Sequence, residues 1–184
     1  MTTLSASFAQ DKRLALVGVV GFAAALAAAS QIAIPIPGTP VPITLQPFVV
    51  ALTGLMLGPI YGAMSMLLYI AVGMTGVPVW APIGAPGIAR LFGPTGGYII
   101  GYPFAAFVAG ALAQRWQSLN GRWAAATLGI ATLFLFGLTQ LAVLSGGIGN
   151  AVALGLTPFA LLDVVKAFAA ALIARPTQSK SPAA

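Results

Sequence analysis

Apolar side chains dominate this chain in long stretches, interrupted only by short clusters of proline, glycine and basic residues. No charged side chain occurs in the 76 residues between Arg13 and Arg90, in the 24 between Arg90 and Arg115, or in the 40 between Arg122 and Asp163. Runs of that length belong in a bilayer, where about 20 apolar residues make one spanning helix. The pattern predicts an all-α, polytopic membrane protein with six transmembrane helices near 14–29, 45–58, 60–74, 95–114, 122–144 and 158–174. Only Gly58-Pro59 separates the second from the third. The first run has the basic flank and small residues of a signal peptide. The chain beyond it is itself polytopic, so an uncleaved helix is the expectation. Residues 1–13 and 175–184 are then cytoplasmic tails on a transmembrane domain spanning 14–174.

Three irregular segments interrupt the helices on one side. Residues 31–44 carry prolines at 35, 37, 40 and 42, which forbid a continued helix. Residues 75–94 and 145–157 are also loops by this reading. Loops this apolar are expected to pack onto or into the bundle rather than stand in water, either as a structural plug or as a lid over a ligand site.

Composition narrows the chemistry. The 184 residues include eight Lys+Arg, two Asp+Glu, no His and no Cys, with 59% hydrophobic. Zinc sites, haem ligation through His, thiol nucleophiles and Ser-His dyads lack their ligands or bases. Magnesium chemistry needs converging carboxylates, and here there are only Asp11 and Asp163. An enzyme is not expected, and no metal or cofactor is expected on this chain. With a cytoplasmic N-terminus, six spans put Lys12, Arg13, Arg115, Arg122, Arg175 and Lys180 on the cytoplasmic side and Arg90 outside, as the positive-inside rule requires. The net charge of +6 thus reads as topology rather than as a nucleic-acid footprint.

Two charges remain inside a predicted span, Asp163 and Lys166. An ionisable residue in hydrocarbon costs roughly 2.5–3.5 kcal/mol on insertion scales and so faces protein or a cavity. Three residues apart on a helix, the two share a face. They can pair as a structural lock between helices, or together meet a small ligand offering N–H donors and an acceptor. The Ala-rich first span sets Gly21, Ala25 and Ala29 in small-xxx-small register, a surface suited to close approach by a partner helix. The pairs Gly58/Gly62, Gly93/Gly97 and Gly97/Gly101 have the same spacing and are expected to serve packing within the bundle.

The ordered set Ile34-Pro-Ile-Pro-Gly-Thr-Pro-Val-Pro-Ile-Thr-Leu-Gln46, Leu57-Gly-Pro59, Gly76-Val-Pro-Val-Trp80, Gly93-Pro-Thr-Gly-Gly-Tyr98 and Asp163-x-x-Lys166-Ala167 resembles the BioY family. Its members are the biotin-binding S components of energy-coupling factor (ECF) transporters. The resemblance implies a six-helix S-component fold in the bacterial cytoplasmic membrane, a Pro-rich lid between helices 1 and 2, and biotin as substrate. It implies docking through helix 1 to a transmembrane coupling subunit, and ATP hydrolysed by cytoplasmic ATPase subunits. This chain has no G-x-x-x-x-G-K-[ST] of its own. Asp163 is the implied acceptor for the ureido N–H groups and Lys166 the partner of a biotin oxygen. Gln46 beside Thr44, Trp80, Arg90 and Tyr98 are further candidate contacts, Arg90 for the carboxylate. Two alternatives stay open: a proton-coupled carrier using Asp163, and action as a homo-oligomer.

Overall fold

The computed structural model describes residues 12–174; Asp11, Arg175, Lys180 and the bulk of both expected tails lie outside that range. Helix α1 spans Lys12–Gln31. Strands β1 (Ala33–Ile34) and β2 (Ile43–Thr44) pair antiparallel at the feet of the proline-rich segment, with Ala33 opposite Thr44. Prolines lack the N–H a ladder needs, so the pairing stops there.

Helix α2 spans Gln46–Met74 and begins with Pro47 in its first turn, a position where the missing N–H costs nothing. It is not one straight rod. Gly58 adopts φ 78° and ψ −177° immediately before Pro59, a conformation open to glycine and closed to other residues. The side-chain amide of Gln46 donates to the Tyr69 hydroxyl at 3.0 Å, although 23 residues of straight helix would separate them by roughly 35 Å. The two arms of α2 therefore fold back on each other, so closely that a side chain on Gly62 would press on the Gly54 backbone.

A 3-10 helix, Gly87–Phe92, precedes α3 (Gly96–Arg115) and α4 (Leu119–Ser145). Ser118 caps α4, its hydroxyl accepting from the Gly121 N–H at 3.0 Å. Helices α3 and α4 lie close because small residues face one another: Gly129 lies against the Ala105 carbonyl and Ala109, and Gly101 against Leu133 and Phe136. Gly62, Gly97 and Gly101 are thus packing positions within the bundle.

Residues 145–157, expected as a loop, contain instead a helix, α5 (Ile148–Gly155). It is joined to α6 (Ala160–Ile173) through a break at 156–159 with a 55° bend. Pro158 in that break cannot continue the hydrogen-bond ladder. The expected boundary at 158 thus moves to 160, and α5 with α6 makes one bent apolar element. Among the described residues, α1, α2, α3 and α4 are individually long and apolar enough to cross a membrane, and the bent pair makes a fifth such unit. The core they share centres on Leu26, Met66, Tyr69, Leu133 and Leu141.

Candidate functional site

Asp163 and Lys166 stand one turn apart on α6 and are only 3% and 8% exposed. Lys166 Nζ donates to Asp163 Oδ1 at 2.6 Å and to the main-chain carbonyl of Thr44 at 2.8 Å. Both hydrogen bonds are charge-assisted. The last turn of α5 and the break after it set the start of α6, where the Asp163 N–H bonds the Phe159 carbonyl.

The pair forms one wall of a cavity of about 60 Å³ at the end of the bundle where segments 32–45 and 75–95 gather. Val41, Pro42, Thr44 and Gln46 close it from the proline-rich side, and Tyr98, Ile99 and Tyr102 line it from α3. Leu133, Phe134 and Phe159 supply apolar surface, and Arg90, Ala81, Thr95, Pro47 and Gly155 complete the lining. The proline-rich segment is fastened over this space twice: Lys166 holds Thr44, and the Thr39 hydroxyl donates to the Leu154 carbonyl at 2.7 Å.

Arg90 is the third charged residue of the cavity and is 6% exposed. Its Nη1 donates to the Ile83 carbonyl and its Nη2 to the Ala81 carbonyl at 2.5 Å, while Nε has no partner. Burial pulls its pKa down from the ordinary value, partly offset by Tyr69 and Tyr102, but a guanidinium keeps its proton in proteins. Among the described residues its partners are carbonyl groups and no carboxylate; Asp163 is engaged by Lys166. A buried cation without a counter-charge is costly unless an anion joins it. Tyr102 lines the same cavity as Asp163 and Arg90.

Five of the six residues singled out as ligand contacts in the sequence, Asp163, Lys166, Arg90, Gln46 and Tyr98, line this one cavity. Like Lys166 and Arg90, Gln46 and Tyr98 carry structural bonds as well: Gln46 donates to Tyr69, and the Tyr98 hydroxyl donates to the Gly155 carbonyl at 3.0 Å. Trp80 is not brought into the lining. Its ring packs edge-on against Tyr69 at 5.0 Å and its N–H is used on the Gly87 carbonyl, so it supports the wall from behind. Sequence reasoning missed Tyr102 as well as apolar lining residues such as Ile99, Phe134 and Phe159; for Tyr102 the available signal was its spacing four residues after Tyr98, since such positions share a helix face. On α1, Gly21 and Ala25 are exposed while Ala29 is only 8% exposed and packs into the bundle. The outward small-residue stripe is therefore Gly21, Ala24, Ala25 and Ala28 rather than one ending at Ala29. Among the described residues no three His, Cys, Asp or Glu side chains cluster as metal ligands.

Fold and site together define a multi-pass membrane protein with a cavity, walled by a buried ion pair and an uncompensated arginine, at one end of a helical bundle. The chain belongs to the BioY family, whose model matches residues 2–183. It is 39% identical over 170 residues to the probable biotin transporter BioY of Pyrococcus horikoshii, covering 92% of this chain and 98% of that one. To the biotin transporter BioY of Thermotoga maritima it is 38% identical over 141 residues, covering 77% and 83%. A crystal structure of the S-component for biotin from an ECF-type ABC transporter matches the fold with a TM-score of 0.83 and 27% identity, over 92% of this chain and 93% of that one.

Proposed function

We propose that this chain is the biotin-capturing subunit of an ECF-type transporter. The observation that carries the proposal is the pairing of Asp163 and Lys166 on one wall of a cavity whose other charged group, Arg90, has carbonyl partners only. Biotin has the complementary chemistry. Its ureido ring offers two N–H donors and a carbonyl, its thiophane ring is apolar, and its valerate ends in a carboxylate. Asp163 accepts from the ureido N–H groups, Lys166 donates to a biotin oxygen, and Arg90 receives the carboxylate as a charge-assisted pair. Leu133, Phe134 and Phe159 cover the apolar ring. The cavity is smaller than the vitamin, so entry requires segment 33–44 to lift and the Lys166 contact with Thr44 to part. That segment thereby serves as the lid.

The bundle makes six passes in this reading, because the two arms of α2 run in opposite directions and the bent α5–α6 pair forms the last. Both termini are cytoplasmic in the bacterial inner membrane, and the cavity opens outward. The exposed Gly21 and Ala25 face of α1 is the docking surface for a transmembrane coupling subunit, with ATP hydrolysed by cytoplasmic partner subunits.

Equilibrium binding of biotin to the purified chain in detergent tests the proposal. Hydrogen bonds to charged groups contribute about 1.5–3 kcal/mol, so Asp163→Asn and Lys166→Ala should each weaken binding roughly 10- to 150-fold. Wild-type affinity in both variants would place the ligand elsewhere.

A further inference from the structure

A second cavity, of about 230 Å³, lies on the far side of Arg90 between the end of α1 and the 76–87 segment. The two cavities share Arg90 and Ala81 in their linings, so Arg90 borders both. It is held there by the Ala81 and Ile83 carbonyls. Gly84 makes room for it, since a side chain at that position would strike Nη1. The second space differs in character from the first. Apart from Arg90, its walls are backbone, proline and aliphatic groups with Trp80 among them, and Val77 and Pro82 are exposed at its rim. Its one amide side chain, Gln31, already donates to the Pro78 and Trp80 carbonyls.

A ligand whose ring end lies at Asp163 and Lys166 and whose carboxyl carbon lies at Arg90 brings that carbon to the residues the two cavities share, so the second cavity is the adjoining space for a group attached to it. We propose that the second cavity receives substituents joined through the ligand's carboxyl group, so that the site accepts biotinyl amides of an amine-bearing side chain as well as the free acid. The inference rests on the biotin reading above. An amide carbonyl accepts from the guanidinium as a carboxylate oxygen does, with the charge pairing lost but the N–H bonds kept. The methylenes of a lysine arm match the Val77 and Pro82 surface, and its charged end reaches water at the exposed rim. Size permits it: at roughly 10–15 Å³ for one water-sized group, the space admits more than the ten or so non-hydrogen atoms of a lysine arm.

Competition binding on the full chain in detergent tests this with three ligands: biotin, its simple primary amide, and Nε-biotinyl-lysine. Biotinyl-lysine is expected to compete at the biotin site within about thirtyfold of biotin, short of the 10⁴–10⁵ rejection of an analogue that leaves a site's own buried polar groups unpaired. It should bind at least as tightly as the primary amide, which lacks the arm. Filling the second cavity by Val77→Phe, or by Pro82→Phe should that variant not fold, should weaken biotinyl-lysine about fivefold or more while biotin changes less than twofold, since overpacking acts where the group is inserted. Weaker wild-type binding of biotinyl-lysine than these bounds, or a smaller or equal shift for both ligands, overturns the inference. Absence of biotin binding to the wild-type chain would instead overturn the biotin reading itself.

Discussion

Lys166 on α6 holds the main-chain carbonyl of Thr44 at 2.8 Å across 122 residues of sequence. The same ammonium pairs with Asp163 at 2.6 Å, so one side chain joins the ligand wall to the segment covering it. Because the acceptor is backbone, the tie is indifferent to the side chain at 44. Thr44→Ala is expected to leave it intact, whereas Lys166→Met releases it. Amide hydrogen exchange over residues 33–44 should speed up in Lys166→Met and change little in Thr44→Ala; equal exchange in the two variants would refute the tie.

Asp163 and Lys166 should also behave as a coupled pair in stability. Removing one partner of a buried pair typically costs about 3–5 kcal/mol because the other charge is stranded, whereas replacing both can be near neutral. Thermal unfolding in detergent should therefore show Asp163→Asn and Lys166→Met each lowering Tm, with the double variant well above the sum of the two losses. Additive losses would mean that the charges are compensated separately.

Arg90 should discriminate the free acid from its neutral methyl ester. Arg90→Gln keeps donors near the Ala81 and Ile83 carbonyls but removes the charge. Biotin is expected to lose roughly 10- to 150-fold in affinity, the range for a charged hydrogen bond, and the methyl ester much less. A titration of both ligands against both proteins decides it, and an equal loss for the two would remove Arg90 from the carboxylate.

Gly84→Ala should reproduce part of that phenotype without touching the ligand. Gly84 has φ +113°, and an added Cβ would collide with the Arg90 guanidinium. The collision displaces the arginine. Preference for biotin over its methyl ester should fall while affinity for the ester holds; unchanged preference would show that the loop absorbs the methyl group elsewhere.

Gly110→Leu should fail structurally rather than functionally. Gly110 abuts the Gly58 and Pro59 backbone at the bend of α2, and overpacking a tight contact costs typically 1–3 kcal/mol or more. A lowered Tm, with residual affinity normal in whatever folds, is the expected result. A wild-type Tm would mean the α2–α3 contact yields easily.

Much of this was legible in the chain because charge is so scarce. Where a hundred residues pass with almost no ionisable group, a carboxylate and an ammonium on one helix face must meet protein, and Asp163 and Lys166 do. The Gly58-Pro59 break was equally legible, since few sequences other than Gly-Pro set that backbone. Other features depend on packing between distant segments. Ile148–Gly155 reads as loop because glycines before it and Pro158 after it mask eight residues of helix, which the neighbouring α4 stabilises. Trp80 was drawn toward the ligand by its N–H, yet Gly87 takes that donor and Tyr69 takes the ring. Ala29 obeys the small-residue spacing and still turns inward, because 3.6 residues per turn rotates the stripe away from a strict four-residue step.

The elbow at Gly58 has a mechanical consequence. Segments 33–44 and 75–95, the two covers of the cavity, hang from opposite ends of the same folded helix, and the Gln46–Tyr69 bond clasps those ends together. Both covers are thus anchored to one hairpin rather than to separate helices.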